Sequence, residues 1–109
     1  MKISDLIEKL DLKLITRPDY TDKEVTGCYV CDLLSRVMSM AKQGDVWITV
    51  QTNLNIVAIA SLTEAACIIV PEDIEVDYDT VLKANSKDVT ILGSALDGYS
   101  LCVRLGALL

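Results

Sequence analysis

Short apolar runs alternate along the chain with longer segments in which apolar residues recur at helical spacing. The short runs are typical of buried strands and the longer segments of amphipathic helices. The predicted strands cover residues 12–15, 25–30, 46–50, 67–70 and 89–92. Because strands that alternate with helices form β-α-β units, we predict one α/β domain over residues 1–109. Its central sheet is expected to be mostly parallel, with four or five strands and helices on both faces.

Polar residues mark where the helices should begin. Such side chains cap the free N–H groups of a first turn. The candidate caps are Ser4, Asp32, Asn53 or Asn55, and Asp77. The second helix should place its apolar residues on one face: Leu33, Leu34, Val37, Met38 and Ala41. Gly44 stands where it could end that helix in the left-handed conformation. The helix after Asn55 has so little polar face that it could be wholly buried. A turn at residues 17–19 should close the first strand.

Composition and charge exclude several classes of protein. Apolar residues make up 51% of the 109, which excludes a disordered tail. The formal net charge of −6 argues against binding to nucleic acid or to an anionic membrane surface, which both need clustered positive charge. There is no histidine, so imidazole can serve neither as a base nor as a metal ligand. The single tryptophan, Trp47, stands in an apolar strand and is expected in the core rather than stacked on a base.

The compartment is expected to be cytoplasmic. The first residues do not read as a secretion signal, and the apolar run 56–62 is far shorter than a membrane span. The four cysteines lie in segments that otherwise read as core: Cys28, Cys31, Cys67 and Cys102. They are therefore expected to be reduced thiols that pack as small apolar residues.

The pair Cys28 and Cys31 forms a C-x-x-C motif, which leaves a redox or a metal role as less favoured alternatives. A redox pair usually opens a helix, whereas Cys28 falls within a predicted strand. A zinc site would need a second close pair, and Cys67 and Cys102 are isolated in the sequence. The acidic stretch 72–79 lacks the glycine and glutamate spacing of a calcium loop. We therefore predict no metal and no cofactor.

The stretch VTGCYVCDLL (25–34), followed by GDVWIT (44–49), resembles the DRTGG domain. The resemblance covers nearly the whole chain and is strongest over residues 25–66. DRTGG domains resemble the N-terminal domain of HPr kinase/phosphorylase, and they occur within phosphotransacetylases and regulated inorganic pyrophosphatases. The resemblance implies a small, often dimeric α/β module that is regulatory or binds a ligand and has no catalysis of its own.

Two motifs of that family are altered in this chain. The Gly-Asp-Arg element would fall at residues 51–53, which read Gln-Thr-Asn, and the Thr-Gly-Gly element near residues 70–72, which read Val-Pro-Glu. The arginine that would meet a phosphate is therefore absent. The polar turn and the following helix start at Asn55 and Ile56 remain.

A binding site is expected at the carboxyl ends of the strands, where an open parallel sheet binds its ligands. The polar residues predicted there are Asp32, Gln51, Thr52, Asn53, Asn55 and Ser94. Because free N–H groups at a helix start attract anions, an anionic ligand is possible; Asn53 or Asn55 acting merely as a helix cap is the alternative. No lysine or arginine lies near the turn, so a neutral or singly charged ligand fits better than a polyphosphate.

Three functions remain open at this point. The first is a regulatory module that senses a nucleotide or another metabolite. The second is a subunit for protein interaction or assembly without a small ligand. An enzyme is the least favoured, since the sequence has no nucleophile–base pair and no P-loop, and it would have to use Asp32 or a cysteine.

The high apolar content also predicts a homodimer that covers part of the second, third or last helix.

Overall fold

All five predicted strands form, and they join one sheet. The computed structural model describes residues 1–18 and 22–109. The strands are β1 (Lys13–Leu14), β2 (Gly27–Val30), β3 (Asp45–Ile48), β4 (Cys67–Val70) and β5 (Ile91–Gly93). The helices are α1 (Ile3–Leu10), α2 (Leu34–Met40), α3 (Asn55–Thr63), α4 (Tyr78–Ser86) and α5 (Gly98–Leu108). The predicted turn at 17–19 ends at Asp19, outside the described residues.

The sheet is mostly parallel, as predicted. Its strand order is β1-β5-β4-β3-β2, and β2, β3, β4 and β5 run parallel to one another. β1 is antiparallel to β5 and forms one edge. β3 lies inside the sheet, where all four of its residues are buried. An interior parallel strand is covered on both faces, which is why its sequence is a continuous apolar run.

Three helices cover one face of the sheet and two cover the other. The strands β2, β3, β4 and β5 follow one another across the sheet, and buried residues of the connecting helices α2, α3 and α4 share one core cluster, so these helices lie on the same face. This is the arrangement that right-handed crossovers produce. The apolar residues of these three helices pack with Trp47 and Ile68, whereas α1 and α5 pack with Val46 and Ile48. Side chains alternate along a strand, so β3 supplies both cores.

Trp47 is fully buried, as predicted, and it also joins β3 to the chain after β2. Its indole N–H donates a hydrogen bond to the carbonyl of Cys31 over 2.9 Å. Because a buried indole N–H needs a partner, this bond offsets the cost of burying that N–H group. The ring therefore helps to hold the end of β2 against β3.

Two predicted helix caps are wrong because the side chains have other partners. α1 begins after Lys2, and the Ser4 hydroxyl donates to the Asp22 carboxylate over 2.8 Å. α2 begins after Leu33, since the carboxylate of Asp32 bonds to the loop that follows β3.

The apolar face predicted for the second helix is also wrong in part. Val37 is buried, but Leu33 and Met38 are 64% and 51% exposed. α2 has seven residues and covers the edge strand, so it has little sheet to pack against. Gly44 has a φ of 85°, as expected for a glycine in a turn. It does not end α2, because it lies three residues after Ala41, the capping residue of that helix.

α3 is partly exposed. Asn55 is its first residue, and the side-chain oxygen of Asn53 accepts a hydrogen bond from the Asn55 backbone N–H over 2.9 Å. Asn53 therefore supplies the capping bond. The outer face of α3 is exposed at Asn55, Ala58, Ser61 and Leu62.

The remaining two helix starts differ in how they are capped. Asp77 occupies the predicted capping position before α4, but the predicted capping bond is absent, because its side chain accepts a hydrogen bond from the Thr52 hydroxyl instead. Asp97 accepts a hydrogen bond from the backbone N–H of Ser100 and caps α5. With 11 residues α5 is the longest described helix, and none of the described helices could cross a bilayer.

Candidate functional site

The loop after β3 carries a chain of hydrogen-bonded polar side chains. Asp32 follows β2 and residues 49–53 follow β3, and the two strands are parallel neighbours. Their carboxyl ends therefore meet at the same edge of the sheet. We call the connected group made of Asp32, Thr49, Gln51, Asn53 and Asn55 the polar network.

Asp32 ties the end of β2 to the end of β3. Its Oδ1 accepts hydrogen bonds from the Thr49 hydroxyl at 2.8 Å and from the Val50 backbone N–H at 3.0 Å. The Gln51 side-chain amide donates to the carbonyl oxygen of Asp32 at 3.0 Å. Charge-assisted bonds to a carboxylate are about twice as strong as neutral ones, so these contacts hold the loop in one conformation.

Gln51 and Asn53 continue the network to the start of α3. The Asn53 amide nitrogen donates to the Gln51 Oε1 over 2.8 Å, while the Asn53 oxygen caps the helix at Asn55. The capping role predicted as an alternative for Asn53 is therefore present. This capping role leaves donors free for a ligand, because each side-chain amide has two N–H bonds. The bonds just described use one N–H of Asn53 and one N–H of Gln51.

Thr52 is held by α4. Its hydroxyl donates to the Asp77 Oδ1 over 3.0 Å, and the Thr80 hydroxyl donates to the Thr52 carbonyl over 2.7 Å. Thr80 is fully buried, so this bond satisfies a hydroxyl that could not otherwise reach water. The loop after β3 is thus anchored both to β2 and to α4.

Ser94 lies apart from the other five predicted residues. It follows β5, which is separated from β3 by β4, and adjacent strands are about 4.8 Å apart. Its hydroxyl accepts from the Leu96 N–H, and its backbone pairs with Val70 and Asp73. Ser94 is buried and serves the turn after β5.

Sequence reasoning misses three members of this region: Thr49, Asp77 and Thr80. Thr49 stands at the carboxyl end of β3, so the same topological rule would include it. The sequence indicates Asp77 only as a helix cap. Thr80 lies within α4, and nothing in the sequence indicates that its hydroxyl reaches the loop after β3.

The electrostatics of the region favour ligands without several negative charges. Asp32 belongs to the polar network and Asp77 bonds to Thr52 beside it, and both carboxylates belong to exposed residues. The polar network itself contains no lysine or arginine.

Two grooves of about 460 and 470 Å³ lie elsewhere, one beside β1 and the loop 73–76, the other between α3 and α4.

The Cys28 thiol of the C-x-x-C pair is not activated as a thiolate. Desolvation, with smaller contributions from Cys102 and Asp45, raises the pKa of the Cys28 thiol to about 12. A thiol with such a pKa is not a thiolate at neutral pH. All four cysteines are free. Cys67 is buried in the core, and Cys31 and Cys102 pack against the two core clusters as expected of small apolar residues, whereas Cys28 is exposed. Within the described ranges, no three acidic or cysteine side chains are grouped to hold a metal ion.

Comparison with known proteins finds solved structures of similar fold but no relative by sequence. No protein-family model and no curated protein matches the sequence. The chain is similar to the crystal structure of the CBS and DRTGG domains of the regulatory region of Clostridium perfringens pyrophosphatase, complexed with the activator diadenosine tetraphosphate. The TM-score is 0.72, at 12% sequence identity.

The likeness concerns the fold and nearly all of this chain. It covers 94% of the chain and 45% of the pyrophosphatase structure, so this chain spans less than half of that regulatory region. No family model matches the stretch 25–66, so the likeness rests on the fold alone. The chain therefore has a DRTGG-like α/β fold.

Proposed function

We propose that this domain is a non-catalytic regulatory module that binds a small polar ligand at the polar network. The observation that carries the proposal is the preorganised arrangement of Asp32, Gln51 and Asn53, whose positions are fixed by bonds of 2.8–3.0 Å. Groups that are already held in place lose little freedom when a ligand binds. The Asn55 amide is exposed beside them and is available to a ligand.

The class of ligand follows from the charge of the site. Amide groups and a carboxylate recognise hydroxyl and amino groups, such as those of a ribose or a base. Two nearby carboxylates repel a polyphosphate, and the network supplies no cation to offset them. We therefore propose a nucleoside, a nucleoside monophosphate or a metabolite of similar charge.

The regulatory part of the proposal is supported by the fold. The similar structure is a regulatory region that was crystallised with a nucleotide activator. A domain of this kind changes the activity of a partner rather than carrying out a reaction. The absence of histidine and the raised pKa of the Cys28 thiol agree with a module that does no chemistry. The free cysteines agree with a cytoplasmic location, which we include in the proposal.

Thermal unfolding in the presence of adenosine, AMP, ATP and diadenosine tetraphosphate tests this function. A ligand at 100 times its Kd stabilises the folded state by about 2.7 kcal/mol, which raises Tm by several degrees. We expect the shift with adenosine or AMP to exceed that with ATP. No shift with any of the four would contradict the nucleotide form of the proposal.

Two amide variants localise the binding. Asn55→Ala removes an exposed amide of the network and should reduce the shift. Gln43→Ala removes an exposed amide before β3, at the opposite end of the sheet, and should leave the shift unchanged. Equal loss in both variants would place the ligand elsewhere.

A second candidate function, association between copies, is favoured by the exposed edge of β2. In the described part of the chain β2 pairs only with β3, and Cys28 and Val30 are exposed. An unpaired edge with exposed apolar side chains is a template for pairing with another strand. Homodimer formation would cover it.

A further inference from the structure

We infer that the groove between α3 and α4 is a second binding site, and that it takes an amphiphilic anion: an alkyl or aryl group that bears a carboxylate or a phosphate. The groove has a volume of about 470 Å³, within the range of small-molecule sites. It lies outside the polar network.

The floor of the groove is apolar. Leu54, Ala58 and Leu62 follow one another at intervals of four residues, so they form a stripe along α3. Leu54 and Leu62 are 49% and 70% exposed, and α3 contains no charged residue beside them. The stripe is about 12 Å long from the rise of a helix, which suits an extended alkyl chain or a ring system.

Two lysines form the rim. Lys83 lies in the last turn of α4 and Lys87 follows the helix directly, and both line the groove. Among the described residues neither makes an ion pair. Asp79 precedes Lys83 by one turn, outside ion-pair distance, and the Asp88 carboxylate instead pairs with Arg17 at 3.5 Å. The side chains that line the groove therefore carry two positive charges and no negative charge, in a chain whose net charge is −6.

Charge decides between the possible occupants. A second copy that packed α3 against α3 would bring an uncharged helix to the rim and leave both lysines without a counter-charge. A neutral lipid or a cation would likewise leave both lysines without a counter-charge. An anion with an apolar body satisfies both features, because its body covers Leu54 and Leu62 while its head group reaches Lys83 and Lys87.

Calorimetric titration with decanoate, kept below the concentration at which it forms micelles, tests the inference. We expect saturable binding of one decanoate per chain at low salt. Decyltrimethylammonium has the same alkyl chain with the opposite charge and should bind at least tenfold more weakly. Added salt should weaken decanoate binding, because the rim lysines are exposed to solvent.

Paired variants separate the rim from the floor. Lys83→Gln with Lys87→Gln should lower the decanoate affinity at least tenfold, whereas Lys9→Gln with Lys13→Gln removes the same charge elsewhere and should leave it nearly unchanged. Leu62→Glu, at a position 70% exposed, should abolish binding without loss of the folded circular dichroism spectrum.

Three results would overturn the inference: no saturable binding, equal affinity in the Lys83/Lys87 and Lys9/Lys13 variants, or equal binding of the cationic probe. A dimer that Leu62→Glu converts to monomer would also overturn it, since a second copy would then fill the groove. Nucleoside binding and its loss in Asn55→Ala test the other site separately, so either proposal can fail alone.

Discussion

The Oδ1 of Asp32 accepts a hydrogen bond from the Thr49 hydroxyl over 2.8 Å, across the carboxyl ends of two neighbouring parallel strands. Thr49 is only 2% exposed, whereas Asp32 is exposed. The same hydroxyl accepts a bond from the Gln51 backbone N–H at 3.1 Å. The pair therefore determines where the loop after β3 leaves the sheet.

Removing either member of this pair should destabilise the domain. We expect Thr49→Val and Asp32→Ala each to lower the free energy of unfolding by about 1–2 kcal/mol, since each leaves polar groups without a partner. The double variant should cost less than the sum of the two single changes, by about 0.5–1 kcal/mol. Urea unfolding, followed by the fluorescence of the single buried Trp47, measures these values. Strictly additive effects would mean that the bond does not stabilise the fold.

Two glycines should respond to alanine with opposite signs. Gly44 has a φ of 85°, and a β-carbon there would collide with the side chain of Thr26. Gly44→Ala should therefore destabilise the domain by about 1 kcal/mol or more. Gly106 lies inside α5 with open space around it, so Gly106→Ala should stabilise by about 0.5–1 kcal/mol. Urea unfolding checks both, and changes of the same sign would contradict the prediction.

Cys67 should make stability fall at alkaline pH. Burial raises the pKa of its thiol from 9.0 to about 12. Above pH 9 the unfolded chain releases this proton while the folded chain keeps it, so the contribution is complete below pH 9 and is lost as the pH rises toward 12. Stability measured at pH 8 and pH 10 should therefore fall more in the natural chain than in Cys67→Ala. Equal losses would show that another group titrates.

The β2 edge should hold two copies together. Light scattering should give about twice the chain mass of 11.9 kDa, and Val30→Lys should return the mass to that of one chain. Val103→Lys changes a valine of similar exposure on α5 and serves as the control. A mass of one chain for the unmodified protein at micromolar concentration would contradict the prediction. A dimer that only Val103→Lys dissociates would move the interface to α5.

The grouping of the candidate site is only partly predictable from the sequence. Because β2 and β3 are parallel, their polar ends meet, and this topological rule is enough to place Asp32 next to Gln51. The same rule groups Ser94 with them, although β4 separates its strand from β3. Strand order is set by long-range pairing, which no local pattern in the chain contains.

The strands, the approximate helices and the parallel architecture follow from the amino-acid sequence alone. Apolar periodicity reports which side chains must leave water, and burial of apolar surface is the dominant favourable term in folding. The partners of the polar groups, in contrast, depend on the tertiary structure. The Asp32 side chain bonds to Thr49 instead of capping α2, and the Ser4 side chain bonds to Asp22 instead of capping α1. A polar side chain can satisfy its hydrogen bonds in several ways at similar free energy, so its partner is chosen by the neighbours that packing brings within about 3 Å.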